Sequence, residues 1–346
     1  MQASRNQRQA RDRHGGAVRS IALFLALLAL LAAASIAAGG YCAYREAARP
    51  GPLAEDTVIL LKPGATVSTI AGKLEEAGAV RYPVLFVAVT RIKGVQSVLK
   101  AGEYKIPAGA SVLDIIDLLV EGKSILHALT VVEGITTAQI LKIIAANEIL
   151  TGDITLMPGE GVLLPETYAF TRGETRDGMV RIMMKAQQAV LDELWDGRAL
   201  ELPFNTRGEA VILASIVEKE TAVADERGRI AAVFINRLKK GMRLESDPTV
   251  IYGLTGGEPL GRGLRVSELR KETPYNTYIV PGLPPTPIGN PGRASIEAVL
   301  NPADTKDLFF VADGSGGHAF AVNLNEHNRN VTRWRQVERE QQRGGE

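Results

Sequence analysis

The chain has 346 residues, with 40 Lys and Arg against 39 Asp and Glu, which leaves a formal net charge of +1. This length predicts about two domains, and the balanced charge gives no sign of a polyanionic partner, so we expect no nucleic acid to bind. Cys42 is the single cysteine, which excludes a disulfide within one chain. The four histidines are scattered, so we expect no metal site and no cofactor.

Residues 21–44 carry no charge and are long enough to span a bilayer. The segment 1–20 before them is rich in arginine. This bias predicts a single-pass membrane protein with its N-terminus in the cytoplasm and the chain after about residue 45 outside. The alternative is a signal peptide cleaved near residues 34–37, although the apolar run is long for one.

Residues 45–56 read as a linker of Ala, Pro and Gly. Between residues 57 and 123, a strand, a Pro/Gly turn and a helix occur twice, at 58–74 and 104–119. The second copy, YKIPAGASVLDIIDLL, loosely resembles the LysM modules that bind glycan chains of the N-acetylglucosamine type. The alternative is a small α/β spacer that lifts the following domain off the membrane.

The segment 209–223, EAVILASIVEKETAV, predicts a helix. At about 100° per residue, Glu220 falls on the same apolar face as Leu213 and Ile216, whereas Glu218 falls on the opposite side. A carboxylate on an apolar face is costly unless it is paired or protonated. Because desolvation raises its pKa, such a group suits a general acid. The alternative is a structural pairing of Glu220 with a nearby arginine at the helix end.

Two later segments also predict local structure. Asp247 before Pro248 is typical of a helix N-cap followed by Pro at the first helical position. Residues 255–293 form a Gly- and Pro-rich loop that contains Tyr275 and Tyr278. Tyrosines on such a loop are typical of sugar-binding clefts, where rings stack on pyranose faces, and simple loop packing is an equal alternative.

The run IVEKETAVADERGRIAAVFINRLKKGMRLESDPTVIYGL is followed by TPYNTY, GLPPTPIGNPG, and FVADGSGGHAF with EHN. These motifs, in this order, closely resemble the YceG-like family. The resemblance extends from the apolar segment to about residue 337 and is strongest between 209 and 328. It implies an α+β fold with a single N-terminal transmembrane helix, a small LysM-like α/β domain at 57–123 and a mixed α+β catalytic domain at 124–340.

The family implies an endolytic lytic transglycosylase of peptidoglycan. Such an enzyme cleaves the β-1,4 bond between N-acetylmuramic acid and N-acetylglucosamine within nascent glycan strands, leaves 1,6-anhydro ends and terminates strand elongation. The second Glu of EKET, Glu220, matches the catalytic residue. The family also implies an anchor in the inner membrane and a catalytic domain in the periplasm. The expected partners are peptidoglycan glycan strands, the membrane and peptidoglycan synthases (penicillin-binding proteins). Six further residues match family motifs and are expected near the cleft as substrate-binding residues: Asn236, Asp247, Tyr252, Tyr275, Asn276 and Tyr278.

A single carboxyl group suffices for this reaction, because the 6-hydroxyl of the substrate is the nucleophile. A muramidase-type hydrolase would need a second carboxylate, for which Asp247 and Glu218 are the candidates. The other alternative is a non-catalytic scaffold that binds glycan beside the synthesis machinery.

Overall fold

The computed structural model describes the backbone of residues 3–344 and the side chains of residues 23–340. Contacts divide the chain into two compact units, Met1–Ile125 and Leu126–Glu346. The described helices are α1 (Ala3–Ala47), α2 (Val67–Glu76), α3 (Pro83–Ile92), α4 (Val112–Glu121), α5 (Thr137–Ala146), α6 (Arg176–Trp195), α7 (Arg207–Glu220), α8 (Arg227–Lys239), α9 (Asp247–Thr255), α10 (Val266–Leu269), α11 (Arg293–Leu300) and α12 (Leu324–Gly344). The strands are β1 (Thr57–Leu61), β2 (Gly102–Ile106), β3 (Leu126–Thr130), β4 (Thr167–Thr171), β5 (Phe309–Ala312) and β6 (His318–Ala321).

Helix α1 contains the part Leu23–Ala47, which is long and apolar enough to cross a membrane. The helix begins inside the basic segment predicted at 1–20, which lies wholly outside the residues whose side chains are described. It ends at Ala47, whose side chain is fully buried. The segment after it, predicted as a linker, is packed within the first unit, because Gly51 N–H donates to the carbonyl of Gly109 over 3.1 Å.

After α1, the first unit has the order strand, helix, helix, strand, helix. Strands β1 and β2 pair antiparallel, with Thr57 opposite Ile106. Alternation along each strand turns Ile59 and Tyr104 into a core shared with α2, α3 and α4. Helix α4 begins with a capping box between Ser111 and Asp114, and it ends at Gly122, whose φ of 74° provides a left-handed C-cap. These elements agree with the two predicted strand–turn–helix segments.

The second unit contains two cores. One lies under the antiparallel pair β3–β4 and includes α5 and α6. The other is built mainly from α7, α8 and α11, and the β5–β6 hairpin lies against it with Phe310 and Phe320. Helix α12 packs on that hairpin. The architecture is therefore mixed α+β, and α7 lies at the centre of the larger core.

Candidate functional site

Helix α7 begins and ends at residues that explain its length. Thr206 accepts a hydrogen bond from Glu209 N–H over 3.2 Å, and the Glu209 carboxylate accepts one from Thr206 N–H over 2.9 Å, which together form a capping box. At the other end, Thr221 has extended backbone angles, φ −145° and ψ 136°. The helix therefore stops at Glu220, three residues earlier than predicted, and places that side chain at its C-terminal end.

Helix α7 is buried on both sides. Ala214 and Ser215, on the side of Glu218, are as buried as Leu213 and Ile216 on the apolar face. The loop before α11 lies against that side, because Ile288 N–H donates to Oγ of Ser215 over 3.0 Å. Ser215 also donates to the carbonyl of Ile212 over 2.7 Å, which satisfies its hydroxyl inside the core.

A cleft of about 480 Å³ opens at the C-terminal end of α7. Its walls come from α7, α8, the turn before α9, the 255–293 loop, β5 and α12. The residues lining it are Glu220, Arg237, Leu244, Glu245, Asp247, Tyr278, Phe310, Val311, His327 and Val331. Of the seven site residues predicted from sequence, it contains Glu220, Asp247 and Tyr278.

The proton affinity of Glu220 is set chiefly by burial. Loss of solvent raises the pKa of its carboxyl from the usual 4.5 to about 7, and the negative charge of Asp247 acts in the same direction. A hydrogen bond from the Ser246 hydroxyl to Oε1 of Glu220, 2.5 Å long, lowers the pKa because it favours the charged form. His318 and Arg237 also lower it electrostatically. The carboxyl group can therefore hold a proton near neutral pH, as a general acid must.

Ser246 is itself held by two buried threonines. Its backbone N–H donates to Oγ1 of Thr277 over 3.0 Å, and its carbonyl accepts from Oγ1 of Thr249 over 2.6 Å. The two threonine hydroxyls also bond each other over 2.8 Å. Glu245, the residue before Ser246, has a φ of 54°, a left-handed conformation that L-residues with a side chain rarely adopt. This turn directs the Ser246 hydroxyl towards Glu220.

Asp247 is not the N-cap that the sequence predicted. Ser246 occupies the cap position of α9, and Asp247 is the first helical residue, with Pro248 next to it. The Asp247 carboxylate instead accepts a hydrogen bond from the Tyr278 hydroxyl over 2.7 Å. Burial, with that bond and the charge of Asp247, raises the pKa of Tyr278, so it remains a neutral donor.

Asn236 and Asn276 were expected near the cleft, but their amides are used by the backbone. Nδ2 of Asn276 donates to the carbonyls of Leu269 and Lys271 over 3.0 and 2.8 Å, and its Oδ1 accepts from Tyr278 N–H over 3.0 Å. Asn276 therefore shapes the loop that carries Tyr278. Nδ2 of Asn236 donates to the carbonyls of two residues before β5, Thr305 and Asp307, over 2.8 and 3.1 Å.

Tyr252 and Tyr275 form a separate aromatic pair, with ring centroids 4.8 Å apart. The Tyr275 hydroxyl bonds Oγ1 of Thr286 over 2.8 Å, and burial raises the pKa of Tyr252 to about 12. Neither ring is among the residues that line the cleft of Glu220. The pair packs on the larger core instead, which agrees with the loop-packing alternative.

The other residues that line the cleft were missed by the sequence analysis, and two of them, Arg237 and His327, are cationic or titratable side chains. Arg237 is buried, donates to the carbonyls of Leu308 and Leu244 over 2.7 and 2.9 Å, and pairs with Glu245 at 3.0 Å. His327 belongs to the EHN motif and lies on the wall formed by α12. Burial lowers the pKa of His327, with a contribution from Arg237. The motif was the only signal in the sequence that pointed to it.

Glu218 lies away from the cleft but is not solvent-exposed. Its side chain is only 5% exposed, accepts a hydrogen bond from Gly292 N–H over 2.9 Å and lies 3.8 Å from the guanidinium of Arg227. These contacts hold the loop before α11 against α7. Glu218 therefore makes structural contacts, whereas Glu220 lines the cleft. Of the two candidates for the second carboxylate of a hydrolase, only Asp247 lies in the same cleft as Glu220.

Comparison with known proteins identifies the same family as the motifs. The chain is 30% identical over 299 residues to an endolytic murein transglycosylase of Bacillus subtilis, which covers 77% of this chain and 81% of the relative. It is 28% identical over 361 residues to an endolytic murein transglycosylase of Streptococcus pneumoniae, covering 89% of this chain and 64% of that relative. The crystal structure of a YceG-like protein of Listeria monocytogenes is 29% identical, covers 80% of this chain and 99% of its own, and has a TM-score of 0.49. The model of the YceG-like family matches residues 59–333, well over half of the sequence, and the chain therefore belongs to the YceG-like family.

Proposed function

We propose that this protein is a lytic transglycosylase of peptidoglycan and that Glu220 is its single catalytic acid and base. The observation that carries the proposal is the position of Glu220 in an open cleft, with burial raising the pKa of its carboxyl to about 7. The names of the two curated relatives support the substrate and the reaction. The substrate bond is the β-1,4 link between N-acetylmuramic acid and N-acetylglucosamine inside a glycan strand.

The reaction needs one proton carrier. Protonated Glu220 donates to the bridging oxygen as the bond to the anomeric carbon breaks, and an oxocarbenium-like centre develops. The 6-hydroxyl of the same sugar then attacks that carbon, and the Glu220 carboxylate accepts the hydroxyl proton. The product is a 1,6-anhydro ring, and the residue returns to its starting state with no water consumed. Ser246 stabilises the carboxylate between the two proton transfers, because its hydroxyl already bonds Oε1.

The remaining predicted residues divide by position. Asp247 and Tyr278 face the cleft and would contact the glycan. Asn276 and Asn236 would act by holding the loop of Tyr278 and the segment before β5. For Tyr252 and Tyr275, packed as a pair outside the cleft, the role we propose is to hold the 255–293 loop in place.

The anchoring and domain organisation also belong to this proposal. Helix α1 would anchor the protein in the inner membrane with the basic N-terminal segment in the cytoplasm, as the arginines before residue 20 indicate. Residues 57–123 would form a LysM-like glycan-binding domain, residues 124–340 the catalytic domain, and synthases the neighbouring partners. Confinement near the bilayer would direct cleavage to newly made strands and so end their elongation.

Product analysis tests the reaction. Purified glycan strands are digested with the protein, and mass spectrometry measures 1,6-anhydro and reducing ends. We expect anhydro ends only. Reducing ends would instead support the hydrolase alternative, with Asp247 as the second carboxylate.

Glu220→Gln separates the enzyme from a scaffold. It keeps the shape of the side chain but removes the proton, so we expect the rate to fall by about two orders of magnitude or more while the fold is retained. A variant that cleaves as fast as the unmodified protein would exclude Glu220 as the acid. A scaffold would release no new ends in either form.

A further inference from the structure

Helix α3 has an apolar outer face that is left uncovered. Its sequence, PVLFVAVTRI, is apolar on nearly all sides, and Phe86 and Thr90 are buried in the core of the first unit. On the side away from that core, Val84 and Ile92 are 80% and 85% exposed, with Ala88 between them at helical spacing. A helix that is apolar all round normally lies within a protein core or a membrane.

The start of α3 lies beside the end of the membrane-spanning segment α1, within the same unit. Tyr82 and Leu85, at the start of α3, line one cleft together with Glu46 and Arg49, which lie at the end of α1 and just after it. Ala47, the last residue of α1, is fully buried. The end of α1 is therefore packed close to the start of α3. Helix α3 is only about 15 Å long, which is too short to cross a bilayer itself.

The charges around the stripe match a lipid surface. Arg81 and Arg91 lie at its two ends, are exposed, and form no ion pair among the residues whose side chains are described. Arginine can extend its charged group to the headgroups while its aliphatic stem lies along apolar surface. Basic residues that border an apolar helical face are typical of helices that lie in the interface of an anionic bilayer.

We propose that the outer face of α3 lies in the headgroup region of the bilayer and that anionic lipids are its partner. The first unit would then be attached at two places, through α1 across the membrane and through Val84, Ala88 and Ile92 along its surface. This inference rests on the proposed anchoring by α1. It concerns the lipid surface and not a protein partner, because the exposed arginines and the closeness of α1 favour lipid.

Depth-dependent quenching in proteoliposomes tests the proposal. The full chain is placed in vesicles of phosphatidylethanolamine and phosphatidylglycerol that contain nitroxide-labelled lipids. An environment-sensitive fluorophore is attached to Ala88→Cys in a Cys42→Ala background. The matched control is Lys105→Cys in the same background, on the outward face of β2. We expect strong quenching at position 88 and little at position 105.

The same system distinguishes the possible failures. Native Cys42, labelled in the unmodified chain, reports whether α1 is in lipid; an unquenched label there would overturn the anchor and this inference together. If position 42 is quenched but 88 is quenched no more than 105, only the α3 proposal is overturned, and a protein partner takes its place.

Two further changes address the chemistry of the contact. Adding Val84→Glu and Ile92→Glu should reduce quenching at position 88 to the level of position 105, and circular dichroism checks that the fold is kept. Replacing phosphatidylglycerol by phosphatidylcholine should weaken the quenching at 88 and leave that at Cys42 unchanged. Quenching that survives both changes would contradict a contact made by the apolar stripe and its arginines.

Discussion

The hydroxyl of Ser246 donates a hydrogen bond to Oε1 of Glu220 over 2.5 Å, across a separation of 26 residues. The bond fixes the orientation of the carboxyl group at the end of α7. It also favours the charged form, so it opposes the effect of burial on the pKa of Glu220. Because Ser246 is held from behind by Thr249 and Thr277, the orientation does not depend on bound glycan.

Ser246→Ala should slow the reaction and shift its pH dependence. Loss of a hydrogen bond to a charged group costs about 1.5–3 kcal/mol, so we expect kcat to fall by roughly tenfold or more. The pKa of Glu220 should rise, because the donor to its carboxylate is gone. The alkaline limb of kcat/KM against pH, measured on glycan strands, should therefore move to higher pH. Ser246→Thr, which keeps the hydroxyl, is the matched control, and an unmoved limb in Ser246→Ala would contradict the role of this bond.

Asp247→Asn should move the same limb in the opposite direction. The negative charge of Asp247 raises the pKa of Glu220, so its removal should lower that pKa and shift the alkaline limb to lower pH. The amide can still accept from the Tyr278 hydroxyl. We expect a loss of rate near neutral pH that is recovered under more acidic conditions. A loss of several orders of magnitude at every pH would instead favour Asp247 as the second carboxylate of a hydrolase.

The stability of the second unit should depend on the protonation of Glu220. Its folded-state pKa, about 7, is above the usual 4.5, so its favourable contribution is complete below pH 4.5 and is lost as the pH rises through 7. Glu220→Gln removes this dependence. Relative to the unmodified protein, the variant should gain about 1 to 3 kcal/mol between pH 4.5 and 8. Thermal unfolding at several pH values measures the difference, and parallel curves for the two proteins would rule out a buried, titrating acid.

Glu218→Gln should affect stability more than catalysis. The charge of Glu218 faces Arg227, and its Oε2 accepts from Gly292 N–H. An amide weakens both contacts, although Glu133 still lies 3.7 Å from Arg227, so we expect a loss of about 1 kcal/mol. Rates per folded molecule should stay within a few-fold of the unmodified protein. A loss of activity equal to that of Glu220→Gln, in a variant that is still folded, would show that Glu218 takes part in the chemistry.

Some residues of the candidate site could be predicted from the sequence, and others could not. Helical periodicity and the EKET motif both pointed to Glu220, because a helix face and a short motif can each be read from neighbouring residues. Ser246 reaches Glu220, and Thr277 reaches Ser246, only through the packing of separate segments, which periodicity does not report. The same limit applies to Ser215, whose hydroxyl accepts from Ile288 N–H in the loop before α11. Asp247 satisfied the local pattern of an N-cap, yet its carboxylate turned to a tyrosine 31 residues further along.

The point at which α7 stops has an electrostatic consequence of its own. The last carbonyls of a helix carry a partial negative charge from the aligned peptide dipoles, and an acid at that end binds its proton more tightly. Thr221, by leaving the helical conformation, places Glu220 within this negative field. The working pH of such an enzyme could thus be adjusted by moving the helix terminus, with every side chain around the acid left in place.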